Sequence, residues 1–164
     1  MAEYDGISEF LKVAPQRIQD AKKLMEGVAS TPQRQGIATQ HLRAALYLSG
    51  YAIECVLKAY VIDRQPSTRT LTEAMNRRRS AGEQLRGEPL PDIQGARGHN
   101  LPLLLLLTDL EAALDSNRDR KKDWAVCLGW KSSWRYDPSS PSQQSAEDFV
   151  AAAERLCRWV ERRL

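Results

Sequence analysis

His41–Val61 reads HLRAALYLSGYAIECVLKAYV. Apolar residues recur here at steps of three and four, the spacing of one helix face. One line runs through Ile37, His41, Ala45, Leu48, Ala52, Cys55, Ala59 and Ile62. A second runs through Ala38, Leu42, Leu46, Ile53, Leu57 and Val61. Two lines make a wide apolar surface, so the helix predicted from about Gly36 to Asp63 touches more than one neighbour. Gly50 inside it costs about 1 kcal/mol relative to alanine; a close crossing or room for a ligand could offset that. Arg43, Tyr47, Gly50, Glu54 and Lys58 form a polar stripe on one face. On an exposed helix a Glu54–Lys58 pair is worth about 0.2–0.5 kcal/mol. Tyr51, Ile53, Val56, Leu57 and Tyr60 leave little arc for solvent, so the stripe is either a narrow solvated edge or part of a site.

Working outward, Pro15 precedes an amphipathic segment, QRIQDAKKLMEGVA, whose Ile18, Ala21, Leu24, Met25 and Val28 share a face. Residues 30–35 are a polar break with a proline. Pro66 ends the long helix, and residues 68–84 read as a weaker, basic helix. Residues 85–98 are rich in glycine and proline and read as an irregular loop. Asn100 is a good N-cap and Pro102 suits the first turn of a helix. Leu103, Leu106, Leu107, Leu110 and Leu114 mark that helix as buried. Residues 118–131 read as a short basic helix or extended turn, and SSWRYDPSSPS as a loop. A last helix starts near Ser142, with Phe149, Ala152, Ala153, Leu156, Trp159 and Val160 on its apolar face. No segment alternates as a strand does, and no repeat is visible. The expectation for residues 1–164 is one all-α domain, an up-and-down bundle of four main helices with one or two short extra helices.

The chain carries 24 basic and 21 acidic residues, a net charge of +3. That is too small to argue for nucleic acid from charge alone. Seventeen of the basic residues are arginine, the better fork for phosphate, although base composition of a genome gives the same bias. Three cysteines without a CxxC or CxxH pair argue against zinc, and Cys55 and Cys157 sit in apolar periodic segments. An odd cysteine count and an acidic N-terminus without an apolar core lead us to expect a cytoplasmic protein. The longest uninterrupted apolar run, Leu103–Leu107, is far short of a membrane span. Common nucleotide-binding, hydrolase and metalloprotease motifs are absent, and two histidines exclude a multi-histidine metal site.

Besides the stripe, three polar features stand out. His99 at a helix start is either a plain loop residue or an imidazole beside free backbone N–H groups that attract anions. Trp134-Arg135-Tyr136 can stack a base and fork a phosphate; it can equally plug the bundle with tryptophan and cap a helix with arginine. Arg77–Arg79 and Arg118–Lys122 are solvated faces unless folding brings them to one side.

Taken in order, HLRAALYLSGYAIECVLKAYV, HNLPLLL, and WRYDP followed by SAEDFVAAAERLCRWV resemble the central helix, the next helix start, and the Arg-Tyr loop and last helix of prokaryotic HEPN domains. The resemblance spans roughly residues 16–164. It implies an all-α bundle that commonly dimerises. It also implies RNase activity in toxin–antitoxin, abortive-infection or CRISPR systems, or a binding role beside a nucleotidyltransferase. The family's nuclease signature is an arginine followed after four to six residues by a histidine near the last helix. Here Arg135 is followed by Tyr136, Asp137, Pro138 and serines, with no histidine at that spacing. Arg34 and His41 match the spacing, but at a place where the family does not put it.

The expectation is therefore a non-catalytic HEPN module of a prokaryotic defence or toxin–antitoxin type system. It would bind a nucleotide, RNA or a partner protein, without a metal or cofactor, and form a homodimer. Glu54, Lys58, His99, Arg135 and Tyr136 would line one pocket. Lys58 and Arg135 would contact phosphate, Tyr136 would stack, and Glu54 would hold Lys58 or accept from a base or ribose. One alternative is an atypical metal-independent endoribonuclease using His99 and Arg135, since attack by a 2′-hydroxyl needs a group to move its proton. Another is purely architectural, with the polar residues bonded inside the bundle and function on the dimer surface.

Overall fold

A computed structural model describes residues 6–29, 35–93, 98–137, 139 and 141–164, and the side chains of all of these except 28, 29 and 35–40. Of the predicted break at residues 30–35, Gln35 already belongs to the long helix, while residues 30–34, Pro138 and residues 94–97 of the 85–98 loop lie outside the described residues. The chain forms the expected all-α bundle. Its helices are α1 (Ile7–Ala29), α2 (Gln35–Asp63), α3 (Leu71–Ser80), α4 (Leu101–Leu107), α5 (Glu111–Asp115), α6 (Arg118–Cys127) and α7 (Gln143–Glu161).

The core is built on α2. Leu42, Leu46, Ala52, Ile53, Val56, Leu57 and Val61 are all buried there. Helix α1 packs antiparallel to it: Lys58 lies over the Phe10 ring, while Ala21 packs with Ala45 nearer the other end. Helix α7 runs the same way as α2, since Val150 joins Ala45 and the Arg163 carbonyl accepts from Arg64. Helix α6 lies antiparallel to α7, through Asp123–Arg155 and Arg120–Trp159. The segment His41–Asp63 has the length and apolar composition of a membrane span, and most of it is buried inside the bundle.

Four local expectations change. Pro15 lies inside α1 and does not precede it. An internal proline costs about 3 kcal/mol, but Phe10, Ala14, Ile18 and Ala21 form one continuous buried stripe across it, and that packing holds the helix through the lost hydrogen bond. Helix α3 starts at Leu71, not at residue 68, because Thr70 and Glu73 form a capping box. Residues Gln84–Leu85 and Glu88–Pro89 pair as a two-stranded hairpin, β1 and β2. Its turn, Arg86-Gly87, has positive φ at both positions, 55° and 85°, the geometry that suits the twist of paired strands. The leucine helix is broken between α4 and α5 at Asp109, where φ is 58°. Its buried face is Leu101, Leu104, Leu105 and Leu107, with Leu103 and Leu106 half-buried.

The remaining caps follow the sequence. Asn100 accepts from the Leu103 N–H at 3.0 Å, and Ser142 accepts from the Ser145 N–H at 3.1 Å. Arg78 is not a solvated member of its cluster. It is buried, donates to the Leu107 carbonyl at 2.8 Å, and is held by Glu83. The Arg78 guanidinium keeps the Glu83 carboxyl below its ordinary pKa.

Candidate functional site

The polar stripe of α2 meets three different neighbours. In its middle, Trp130 lies directly on Gly50: a Cβ there would come within 2.0 Å of the indole ring. The indole N–H donates to the Tyr47 carbonyl at 3.1 Å, and its ring stacks on Tyr47 at 6.3 Å. The glycine that costs helix stability therefore admits a tryptophan, not a ligand. Trp130 divides the stripe into two polar regions.

Toward the end of α2, Glu54 is 1 % exposed. Both its oxygens are taken: Oε1 accepts from the Lys58 ammonium at 2.5 Å, and Oε2 lies 2.9 Å from His99 Nδ1. A carboxylate only accepts, so the Nδ1–H of His99 is the donor in this contact. His99 reaches Glu54 because Gly98 is buried against the chain ahead of it; a Cβ at Gly98 would meet the Ile93 carbonyl oxygen at 2.3 Å. Around this cluster, burial pushes the Cys55 thiol and the Tyr51 phenol each up to about 12. Both therefore stay protonated at neutral pH, and neither offers a thiolate or phenolate nucleophile.

Toward the start of α2, Arg43 faces the segment between α6 and α7. Its guanidinium lies 4.9 Å from the Trp134 ring, 3.5 Å from the Asp137 carboxylate and 3.2 Å from the Ser139 carbonyl. Trp134 belongs to a 3₁₀ turn, Ser132–Tyr136, and packs on Phe149 of α7 at 5.8 Å. Arg43, Tyr47, Trp134, Arg135, Tyr136 and Asp137 line an open cavity of about 370 Å³. Tyr136 is 76 % exposed at its edge, and the Arg135 guanidinium lies 4.8 Å from its ring centre. Hydrogen bonds from Ser139 hold the Asp137 carboxyl below its ordinary pKa, with Arg43 adding to the effect.

No protein-family model, curated protein or solved structure matches the chain.

The five predicted site residues therefore fall into two groups. Glu54, Lys58 and His99 form one cluster, in which the Glu54 carboxylate is buried and the His99 ring is partly exposed; Arg135 and Tyr136 join Arg43 at a separate cavity. His99 does not line the Arg135 cavity. The eleven residues from Arg43 to Glu54 correspond to about 16 Å along the helix. Of the plug reading for WRY, the tryptophan half holds, since Trp134 packs on Phe149, and the arginine half does not: Arg135 lies on Tyr136 and caps no helix among the described residues. Trp130 was not foreseen, and Asp137 was expected only as a member of the WRYDP stretch, with no role of its own. The signal for the first was Gly50, since an interior glycine in a packed helix calls for a bulky neighbour.

Proposed function

We propose that the chain is a binding module of the HEPN type, taking a nucleotide or the end of an RNA strand in the cavity between α2 and the 132–139 segment. The observation that carries this is the exposed Tyr136 ring with Arg135 lying on it, beside a wall made by Arg43 and Trp134. An exposed ring offers a base a stacking surface, which contributes about 1–3 kcal/mol per base. Two guanidiniums at the same cavity supply forks for phosphate. Arg43 is partly engaged by Asp137 and Ser139, so Arg135 is the freer of the two. Homodimerisation, a nucleotidyltransferase partner and a role in prokaryotic defence belong to the same reading through the sequence resemblance. Isothermal titration with mononucleotides and short single-stranded RNAs tests it. Binding that Arg135→Ala and Tyr136→Ala each weaken supports the assignment; absence of binding, or binding unchanged in both variants, overturns it.

A second reading rests on His99. A buried carboxylate holds its Nδ1–H, and in the neutral ring Nε2 is then an acceptor, which suits a general base in a metal-independent RNase. It predicts cleavage of single-stranded RNA in excess chelator and loss of cleavage in His99→Ala. Intact RNA after prolonged incubation at high protein concentration removes it. Arg135 would then act, if at all, from a separate cavity.

A further inference from the structure

The net charge of +3 is not spread over the molecule. Residues 115–124 and 154–164 carry eight cations and five carboxylates; the rest of the chain carries sixteen of each. These two segments are far apart in sequence, yet the antiparallel packing of α6 on α7 puts them side by side. Arg120 of α6 lies 5.2 Å from the Trp159 ring of α7, and Asp123 holds Arg155.

Three of the eight cations are neutralised locally: Lys121 by Asp115, Arg155 by Asp123 and Arg158 by Glu154. Arg118, Arg120, Lys122, Arg162 and Arg163 have no carboxylate partner among the described residues. Three of these five are nevertheless held in place. Arg120 donates to the Ala113 carbonyl, Arg162 to the Arg158 carbonyl at 3.0 Å, and Arg163 to the Trp159 carbonyl at 2.8 Å. Arg120 and Arg163 both lie against Trp159. Carbonyl oxygens and an aromatic ring fix a guanidinium without cancelling its charge, so an anion meets cations whose freedom is already spent.

We infer that this face of α6 and α7 is a sequence-independent docking surface for the phosphate backbone of a double-helical nucleic acid. It rests on the nucleic-acid reading above only for the choice of polyanion. Asp119 and Glu161 are the carboxylates left over on this face, so five cations without an ion-pair partner, three of them held by carbonyl oxygens, outnumber them and suit regularly spaced phosphates. Trp159 is buried beneath the guanidiniums and presents no stacking surface, which argues against unpaired bases here. The Tyr136 cavity lies near the other end of α7: the ten residues from Phe149 to Trp159 correspond to about 15 Å.

The test is fluorescence anisotropy of the full chain with two unrelated labelled duplexes of about 20 base pairs, over a salt series. Both duplexes bind with similar affinity, and the affinity falls as salt rises. Arg118→Gln, Lys122→Gln and Arg162→Gln together weaken binding about tenfold at low salt. They lower the log–log salt slope by about 2 to 3, one phosphate contact being lost per residue. All three side chains are exposed, so the melting temperature stays near wild type. Wild-type affinity in the triple variant, salt-independent binding, or binding to phosphatidylserine vesicles but not to duplexes would overturn the inference. Arg135→Ala with Tyr136→Ala serves as the separating control. Duplex binding that survives there while mononucleotide binding fails removes the cavity reading and leaves the docking surface standing.

Discussion

At Glu54 the polar stripe of α2 is sealed; eleven residues earlier, at Arg43, it is open. Both regions pair a cation with a carboxylate and place an extra cationic or aromatic group beside them. Glu54 has lost its water and has both oxygens filled by Lys58 and His99. Arg43 shares its guanidinium among an indole ring, a carboxylate and a carbonyl at the wall of a cavity that solvent enters. The sealed region is bound to the core energetically. The open one has exposed groups to offer a ligand. Trp130 on Gly50 keeps them apart.

Lys58→Met attacks the sealed region most directly. It leaves Glu54 buried with His99 alone, and breaking a buried pair by one partner costs about 3 kcal/mol or more. Urea denaturation should report that loss, while nucleotide affinity at the Arg43 cavity should hardly move in protein that remains folded. A large affinity change would mean that the two regions communicate. Gly50→Ala acts on the partition itself. The new methyl meets the indole of Trp130, and overpacking of this kind costs about 1–3 kcal/mol. Because Trp130 also stacks on Tyr47, a wall of the cavity, a modest loss of nucleotide affinity should accompany the lower melting temperature.

Tyr136→Ala gives the reverse profile. The ring is exposed, so stability should change by less than about 0.5 kcal/mol, whereas loss of stacking should weaken nucleotide binding by about 1–3 kcal/mol. Calorimetry and thermal melting on the same preparation separate the two.

The smallest effect is expected from Asp137→Asn, which frees Arg43 from its carboxylate and should raise phosphate affinity a few-fold at neutral pH. The folded pKa of Asp137 is depressed, so its ionised form stabilises the folded state above the ordinary value near 3.8. That contribution is lost as pH falls through the lower, folded value. Wild type and variant should therefore differ across neutral pH and converge only in acid. Convergence already near pH 6 would contradict this account.

Much of this contrast was legible before any tertiary contact was known. The periodicity of His41–Val61 foretold a helix with several neighbours, and the steps between Arg43, Tyr47, Gly50, Glu54 and Lys58 put them on one stripe. Asn100, Ser142 and the apolar face of the last helix behaved as read, because caps and amphipathic faces are local properties. The capping box at Thr70 and Glu73 is also local, and it sets the start of α3 that the sequence reading put at residue 68. Pro15 misled because packing on both sides of it overrides its intrinsic cost.

The sequence alone settled the all-α class and which residues of α2 share a face, since helix period depends only on neighbours in the chain. It could not say which part of that face would be closed. Only the tertiary structure brought Trp130 onto Gly50, His99 onto Glu54 and the 132–139 segment onto Arg43. Only it joined the basic ends of α6 and α7 into one surface. Burial and charge density are sums over segments distant in sequence, and their values exist only once the chain has packed.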